Sequence, residues 1–349
     1  MKRMATLAAF VAAFSFFCGA TTETGVVEAR AAARQTVRHS ETRTRGSALR
    51  PGECIGIVAP ASWLEREEWE EGVRLLKKRG YRVKLAPSCT AANGFFAGTD
   101  LARATDLNRF FADDEVKAIL CLRGGYGSAR VLDKLNYAEI ARHPKLLIGF
   151  SDITALHQLS AYSDQFSIHG IMCKHIATLP EDSEPIQALR SLLADERMDY
   201  YWPAHPLNHN GTAFAPIVGG NLSVLYGLQG TRYGLRDELF CKQFPILLIE
   251  DICERHYHID RMIRNLKMSG VLAHLSGLIV GQFTDCEDDP SMGCTVYETI
   301  KEAVADYDYP VLFNAPVGHV EYNLPIRMHS TIQMEITSEG VHLTGKGIF

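Results

Sequence analysis

The segment 145–161, KLLIGFSDITALHQLSA, combines the features of a short buried strand, a sharp turn and a helix. Its apolar run at 146–148 is typical of a parallel strand covered on both faces, and Gly149 ends that run. A helix is then predicted from residues able to cap it and from apolar residues spaced three to four positions apart: Ser151, Asp152 and Thr154, then Ile153, Leu156 and Leu159. The pattern therefore places Ser151 on a strand-to-helix turn.

Two interpretations of Ser151 follow from this position. As a nucleophile, its hydroxyl would be exposed on the turn, activated by a base and supported by the N-terminal dipole of the helix. As an N-cap, it would only accept a hydrogen bond from the first turn of that helix. The turn lacks the G-x-S-x-G spacing of α/β-hydrolases, because Ile153 stands where the second glycine would be. The local pattern leaves both interpretations open.

Apolar strands and amphipathic helices alternate along the N-terminal half of the chain. The predicted order is strand Gly52–Pro60, helix Glu67–Arg79, strand Tyr81–Leu85, helix Asp100–Phe111 and strand Val116–Leu122. This alternation, with helical stretches of about 10–15 residues, is typical of a parallel α/β sheet. Ligands of such sheets bind in the loops at the carboxyl ends of the strands, and the Ser151 turn is one of these loops.

A glycine-rich turn, RGGYGSAR at 123–130, follows the third predicted strand. Gly125 and Gly127 begin a G-x-G pattern, but Arg130 occupies the position of the third glycine in a dinucleotide-binding loop. An NAD-binding oxidoreductase is therefore an alternative with an incomplete motif. The same glycines would let backbone N–H groups approach a developing negative charge, as in an oxyanion hole. A plain tight turn is the third interpretation.

A segment rich in Pro, Asn and Gly, WPAHPLNHNGTAFAP at 202–216, separates the two halves of the chain. We predict an N-terminal α/β domain at 51–200, an interdomain linker at 201–215 and a smaller domain at 216–349. The second domain is predicted to contain a helix after VGGNLS at 218–223, a strand at 245–249, a helix at 257–268, a strand at 275–280 and β-like structure beyond residue 311.

An acid and a histidine in the second half could complete a catalytic set with Ser151. Glu250 follows the apolar strand PILLI, and His319 lies in the loop APVGHVEYNLP. Serine hydrolases need a histidine to take the hydroxyl proton and an acid to hold the imidazole in the required tautomer. Other interpretations stay open at this point, since Glu250 and Asp251 could cap a helix and a lone histidine is often structural.

Charge, metal-binding motifs and cysteine content limit the functions that the chain can have. The 349 residues include 36 basic and 41 acidic ones. From residue 51 onward there are 28 basic and 38 acidic residues, a net charge of −10, which argues against a nucleic-acid partner. No H-E-x-x-H or paired Cys/His motif occurs, so no metal site is predicted. Eight scattered cysteines are predicted to be free thiols, although an exported chain could oxidise one pair: Cys54, Cys89, Cys121, Cys173, Cys241, Cys253, Cys286 and Cys294.

The N-terminus has the pattern of an export signal. Two basic residues precede an apolar run at 5–17, and small residues follow it. We predict a signal peptide at 1–20, a flexible linker at 21–50 and an exported, periplasmic protein with no membrane span after cleavage. The apolar run is shorter than a membrane-spanning helix needs. A lipoprotein anchored through Cys18 and an ordinary N-terminal helix are the alternatives.

Five blocks of this sequence resemble the LD-carboxypeptidase family of serine peptidases. The family includes murein tetrapeptide carboxypeptidases and microcin C immunity hydrolases. The blocks occur in the family's order and extend over about Cys54 to Ser330: LRGGYGSARVLDKLNY, LLIGFSDITALH, VGGNLSVLYGLQGT, LLIEDICERHYHIDRMIRNLKMSGVL and PVGHVEYNLPI. The resemblance implies an α/β domain similar to class I glutamine amidotransferases, joined to a smaller β-rich domain, with the site between them.

The resemblance also implies roles for individual residues. Ser151 corresponds to the family's nucleophile, Glu250 to its acid and His319 to its base. The backbone N–H groups of Gly125 and Asp152 correspond to its oxyanion hole. Two further residues are predicted to contact the substrate: Gly124 and Asn221. The last block departs from the family, since relatives more often carry an extra Thr before the Leu-Pro and a Gly soon after it.

The implied reaction is hydrolysis of the L,D-amide bond that holds a terminal D-Ala in a muropeptide tetrapeptide, during peptidoglycan turnover or recycling. No cofactor is implied. The implied partners are a muropeptide or peptide substrate and a second copy of the chain in a homodimer. A hydrolase of microcin-like peptides or acyl-adenylate mimics is an alternative that uses the same three residues. A non-catalytic muropeptide-binding module is a further alternative, against which an intact triad argues.

Overall fold

The computed structural model describes residues 48–161, 166–235 and 243–345. The predicted signal peptide at 1–20, with Cys18, lies outside the described residues, as do Cys241 and most of the predicted linker at 21–50. Within the three described ranges, no helix is both long enough and apolar enough to cross a membrane.

Strands and α-helices alternate through most of the described chain. The strands are β1 (Cys54–Val58), β2 (Arg82–Leu85), β3 (Val116–Cys121), β4 (Leu146–Gly149), β5 (Ser167–His169), β6 (Met198–Pro203), β7 (Gly211–Asn221), β8 (Ile246–Ile252), β9 (Gly277–Thr284), β10 (Val311–Leu312), β11 (Ile326–Met328), β12 (Thr331–Ile336) and β13 (Gly340–Gly345). The helices are α1 (Glu70–Lys78), α2 (Asp100–Ala112), α3 (Tyr137–Arg142), α4 (Thr154–His157), α5 (Cys173–Thr178), α6 (Glu184–Leu193), α7 (Leu222–Leu228), α8 (His256–Met268) and α9 (Val296–Ala303).

The first sheet has six strands in the order β11-β5-β4-β3-β1-β2. Strands β1 to β5 pair in parallel, and β11 adds to the edge antiparallel to β5. All five residues of β1 are buried, as expected for a strand covered by helices on both faces. The parallel α/β sheet predicted from the alternation of strands and helices is confirmed, and the loops at the carboxyl ends of β3 and β4 lie side by side.

The second sheet has seven strands in the order β10-β9-β8-β7-β12-β13-β6. The long strand β7 joins its two halves. Residues 211–216 of β7 pair antiparallel with β12, and residues 217–221 pair in parallel with β8. The predicted second, β-rich domain is therefore present, with a parallel part that carries Glu250 and an antiparallel part at the other end of the sheet.

The range 201–215, predicted as an interdomain linker, is largely strand. Met198 and Tyr200 are buried while Asp199 and Tyr201 are exposed, which is the period-two alternation of a half-buried strand. This pattern places the end of β6 and the start of β7 in the second sheet, so only residues 204–210 connect strands. The abundance of Pro, Asn and Gly in the segment concealed the alternation.

The C-terminal part of the chain also contributes to the first sheet. Strand β11 pairs with β5, with Arg327 opposite Ile168. Apolar residues of both sheets then share one buried cluster, which includes Ile119 and Leu147 from the first sheet and Met334 from the second. Burying such side chains contributes roughly 1.5–3 kcal/mol each, so this shared core fixes the sheets against each other.

Candidate active site

Ser151 occupies a strained position directly after β4. Its φ of 65° is a left-handed value that costs a non-glycine residue on the order of 1–3 kcal/mol. Gly149 permits the tight turn, because a Cβ atom there would lie 2.9 Å from the Ile153 side chain. Ser151 is the first residue of a 3-10 helix whose N-cap is Phe150, so it does not occupy the capping position. The turn therefore presents the Ser151 hydroxyl to the site, and strain of this kind is typical of functional positions.

The three side chains proposed as a catalytic set form a continuous hydrogen-bonded chain. His319 Nε2 lies 2.8 Å from Ser151 Oγ, and His319 Nδ1 lies 2.7 Å from Glu250 Oε2. Glu250 is fully buried, whereas His319 retains 14% exposure. With Nδ1–H donating to the buried carboxylate, Nε2 is left without a proton and can accept the one on the serine hydroxyl.

Close backbone packing places Glu250 under His319. Glu250 lies near the end of β8, where the register against β9 shifts between Ile249 and Asp251. Gly318 has a φ of 126°, and a Cβ atom there would lie 2.9 Å from Glu250 Oε2. Only glycine allows this approach without strain, so the loop before His319 can lie directly on the carboxylate.

Asp251, next to the proposed acid, has a different role. Its carboxylate accepts hydrogen bonds from the Ser223 N–H at 2.8 Å and from Asn221 Nδ2 at 3.0 Å, at the start of α7. Burial and then the adjacent Glu250 charge raise the pKa of Asp251 to about 7. Of the two acids that the sequence left open as possible helix caps, only Asp251 bonds the start of a helix. That helix is α7, which precedes Asp251 in the chain, and not α8, which follows it.

The glycine-rich turn lies against the nucleophile. A Cβ atom on Gly124 would lie 3.1 Å from Ser151 Oγ, so a side chain at this position would occupy the space beside the hydroxyl. Gly125 has a φ of 110° and packs on Ser62, whose Oγ accepts the Tyr126 N–H. A 3-10 helix at 128–134 follows the turn instead of the α-helix that a dinucleotide loop requires.

Asp152 ties the two turns together. Its carboxylate accepts the Ser128 N–H at 2.7 Å, and burial raises its pKa. Its own N–H lies in the first turn of a 3-10 helix whose first backbone bond runs from Ile153 to Phe150, so it has no partner within that helix. This geometry is compatible with the oxyanion hole implied for Asp152 and Gly125, which stays a prediction.

Asn221 is engaged at a junction between the two sheets. Its N–H donates to Thr154 Oγ1 at 2.9 Å, and its side chain caps α7 by accepting the Val224 N–H. Gly220 allows the contact, because a Cβ atom there would collide with Thr154. These bonds give Asn221 a positioning role behind the nucleophile turn, and its predicted contact with substrate stays a prediction.

Several contacts around this site were not predicted. Ser62 and Thr154 hold the turns around Ser151, and buried Arg103 donates to the Gly127 carbonyl at 2.9 Å while it pairs with Asp100. Phe150 packs on His319 with ring centroids 5.0 Å apart. The apolar and polar patterns of the sequence carry no signal for these contacts, because the partners are far apart along the chain.

Three more histidines lie near the turn but are held neutral. Burial lowers the pKa of His157 to about 4 and that of His175 to about 3, and it holds the pKa of His169 well below its usual value. No group of three or more metal-ligating side chains occurs among the described residues. Of the four histidines, only His319 contacts Ser151, so it is the one placed to act as its base.

The buried histidines predict acid-sensitive folding. The pKa of His157 falls from 6.5 to about 4 on folding, so the unfolded state binds more protons in this window and stability decreases as the pH falls below 6.5. His157→Gln can keep the donor to the Gly149 carbonyl. We expect it to flatten the pH dependence of the free energy of unfolding by about 1 kcal/mol per pH unit at about pH 5, and by less towards about pH 7 as the unfolded-state histidine loses its proton. Urea titrations between about pH 5 and about pH 7 measure this slope, and an unchanged slope would contradict the assignment.

The fold and the site together define a serine hydrolase class. A parallel α/β sheet carries a strained serine at the carboxyl end of a strand, and a second sheet supplies the acid and the histidine. This is the Ser-His-acid arrangement of nucleophilic acyl transfer, reached on a turn other than the nucleophile elbow of α/β-hydrolases.

Comparison with known proteins identifies the family. Residues 55–170 match the LD-carboxypeptidase N-terminal domain, and residues 215–334 match the LD-carboxypeptidase C-terminal domain. These two ranges span more than half of the chain. The chain belongs to the LD-carboxypeptidase family, which confirms the resemblance seen in the sequence blocks and makes the protein a serine LD-carboxypeptidase by family.

Curated relatives match along nearly their whole length. The probable murein peptide carboxypeptidase of Bacillus subtilis is 30% identical over 307 residues, which cover 86% of this chain and 94% of the relative. The murein tetrapeptide carboxypeptidase of Pseudomonas aeruginosa is 30% identical over 279 residues, 77% of this chain and 89% of the relative. The microcin C7 self-immunity protein MccF of Escherichia coli is 23% identical over 337 residues, 85% of this chain and 94% of the relative.

Solved structures agree with the fold. The muramoyltetrapeptide carboxypeptidase of Oxalobacter formigenes superposes with a TM-score of 0.75 at 24% identity, covering 84% of this chain and 98% of that protein. The fold predicted by resemblance, a parallel α/β domain joined to a second β-rich domain, is therefore confirmed.

Proposed function

We propose that this protein releases the terminal D-Ala from muropeptide tetrapeptides by hydrolysing an L,D-amide bond, with Ser151, His319 and Glu250 as its catalytic triad. The observation that carries the proposal is the continuous hydrogen-bonded chain from Ser151 Oγ through His319 to buried Glu250. The two relatives at 30% identity are named for murein peptides, which supports this substrate class.

The first half of the reaction forms an ester on Ser151. Its Oγ attacks the carbonyl carbon of the scissile amide while His319 Nε2 takes the hydroxyl proton. The carbonyl electron pair moves to oxygen, and the negative charge develops beside the Gly124–Gly125 turn and the Asp152 N–H. When the intermediate collapses, the C–N bond breaks and His319 returns its proton to the amine of the departing D-Ala.

The second half of the reaction regenerates the serine. A water molecule gives a proton to His319 and attacks the ester carbonyl, and His319 then protonates Ser151 Oγ as the shortened peptide leaves. The Glu250 side chain holds the imidazole through Nδ1 in both halves. Its complete burial strengthens this interaction, because no water competes for the hydrogen bond.

The choice of substrate can be tested with three tetrapeptides of one sequence. One has a free terminal carboxylate on D-Ala, one has an amidated terminus and one has L-Ala in the last position. We expect kcat/KM to be highest for the free D-Ala acid and at least about 10-fold lower for the other two, because an exopeptidase uses the terminal carboxylate to align the scissile carbonyl. Equal turnover of all three would indicate a broad amidohydrolase and overturn the proposal.

A hydrolase of microcin-like peptides is the alternative that the relationship to MccF favours. It would use the same triad on a different acyl group. An aminoacyl sulfamoyl nucleoside should be included in the substrate series, since faster cleavage of this compound than of the D-Ala tetrapeptide would select the alternative.

We propose that the protein is exported and acts outside the cytoplasm, as the basic and apolar start of the sequence suggests. N-terminal sequencing of the protein from its native host should give a start near Thr21. An intact Met1 in a soluble cytosolic fraction would overturn this proposal.

The homodimer implied by family resemblance is likewise proposed, and light scattering of the purified protein measures its mass.

A further inference from the structure

Two cationic side chains, Arg123 and Lys174, lie together at the carboxyl end of β3. Arg123 immediately precedes Gly124, and Lys174 lies in the first turn of α5. The Lys174 N–H donates to the Leu122 carbonyl at 3.2 Å, which brings the start of the helix against the end of the strand. We call Arg123 and Lys174 the cationic pair.

The cationic pair has no acidic partner within 4 Å in the described part of the chain. Arg123 Nη1 reaches only the Trp63 carbonyl at 3.4 Å, and its buried Nε has no hydrogen-bond partner there. The Lys174 ammonium makes no hydrogen bond among the described residues. Glu68 exerts a weak attraction on Lys174, but its carboxylate accepts the Glu65 N–H instead.

The cationic pair differs from the other unpaired cations in being half-buried. Both side chains are half-buried, whereas other cations without an acidic partner, such as Lys77, Arg255 and Arg261, are exposed to water. Burial, followed by the charge of Arg123, lowers the pKa of Lys174. Two like charges held together with little access to water repel each other, and an anion between them would relieve this repulsion. The chain is acidic overall, so these two cations form a local positive site on a negatively charged protein.

The cationic pair adjoins the reacting groups. Arg123 Nη2 lies 3.7 Å from the position that a Cβ atom on Gly125 would take, and a Cβ atom on Gly124 would lie 3.0 Å from Ser151 Cβ. On the other side, His175 follows Lys174 and packs on Phe150 with centroids 5.2 Å apart, and Phe150 packs on His319. Gly124 and Gly125 therefore lie between Arg123 and Ser151, and the Phe150 ring lies between His175, next to Lys174, and His319.

We propose that Arg123 and Lys174 form the subsite that binds the terminal carboxylate of the substrate. This inference rests on the proposed function and names the residues responsible for its exopeptidase specificity. When two cations hold the terminal carboxylate one glycine turn away from Ser151, the last residue is fixed. The carbonyl of the residue before it, which is the scissile carbonyl, then faces the Ser151 hydroxyl. An internal amide has no carboxylate at this position and gains nothing from the pair.

The test compares charge-neutral variants on two substrates. Lys174→Met and Arg123→Gln should each lower kcat/KM for the free-acid tetrapeptide by about 10- to 100-fold, and leave kcat/KM for the terminally amidated tetrapeptide within about 3-fold of wild type. The preference for the free acid should therefore shrink in each variant. Lys77→Met, on the exposed face of α1, is the matched control and should keep the wild-type preference.

Thermal unfolding separates this role from a structural one. Removing one of two unpaired like charges should leave the melting temperature of Lys174→Met equal to or above that of wild type. Equal losses on the acid and the amide, or no loss on either, would overturn the inference.

A third substrate, amidated on the side-chain carboxylate of the diamino acid, identifies the anion. Wild type should discriminate little against it, and the variants should not change that ratio. If the variants instead abolish discrimination against this compound, the pair binds the diamino acid and the terminal assignment is wrong. A wild-type enzyme that releases D-Ala from none of these substrates would overturn the proposed function itself.

Discussion

Replacing Ser151 with alanine is expected to lower kcat by about 10⁴- to 10⁶-fold while the fold stays intact. The hydroxyl is the group that His319 Nε2 contacts at 2.8 Å, and no other serine is hydrogen-bonded to that nitrogen in the described part of the chain. Initial rates of D-Ala release measure the loss, and circular dichroism checks folding. Residual activity above about a tenth of wild type would rule out Ser151 as nucleophile.

Two companion variants sharpen this result. Ser160→Ala removes a buried serine hydroxyl that donates to the His157 carbonyl, nine residues after Ser151 in the chain. It therefore tests the loss of a nearby hydroxyl without altering the triad. It should lose about 1 kcal/mol of stability and keep wild-type kcat. Ser151→Gly removes the nucleophile but adopts the left-handed φ without cost, and it should be as inactive as Ser151→Ala.

Replacing Glu250 with glutamine is expected to lower kcat by about 10⁴-fold, with a much smaller effect on KM. Glutamine has nearly the same shape, but its amide can donate to His319 Nδ1 and so favour the tautomer with a proton on Nε2. That tautomer cannot take the Ser151 proton, and the charge that stabilises the imidazolium is also lost. Steady-state kinetics with the D-Ala tetrapeptide give both parameters.

Asp251→Asn is the matched control for Glu250→Gln. Asp251 is the adjacent buried acid, but it bonds the start of α7 and has no contact with His319. Its loss should appear in the free energy of unfolding, and kcat should fall far less than in Glu250→Gln. Equal falls in kcat for the two variants would indicate that the second sheet is disturbed in general, and the role of Glu250 would need revision.

Local sequence patterns predicted the elements that carry the site. Alternating apolar strands and amphipathic helices identified the parallel sheet, and the glycine after an apolar run identified the turn at Ser151. Those patterns arise because residues a few positions apart along the chain are buried on the same face, so they can be read directly from the sequence. The pairing of Ser151 with Glu250 and His319 depended on family resemblance, because chain order alone is compatible with many sets.

Long-range contacts were beyond local patterns. Strand β11 returns to the first sheet, and β6 belongs to the second, because pairing partners lie far apart in sequence. The left-handed φ of Ser151 was also hidden, since it is imposed by the contacts of the turn and opposes the intrinsic preference of serine. The bonds from Ser128 to Asp152 and from Asn221 to Thr154 are of the same kind.

The most direct test of the central claim is mass spectrometry of a disaccharide tetrapeptide incubated with the purified enzyme. The account predicts two products, free D-Ala and the tripeptide that lacks only this residue, and no product from the Ser151→Ala variant. Cleavage at an internal amide would contradict the assignment of the Ser151–His319–Glu250 site as a serine LD-carboxypeptidase centre. A tetrapeptide left intact by correctly folded enzyme would contradict it as well.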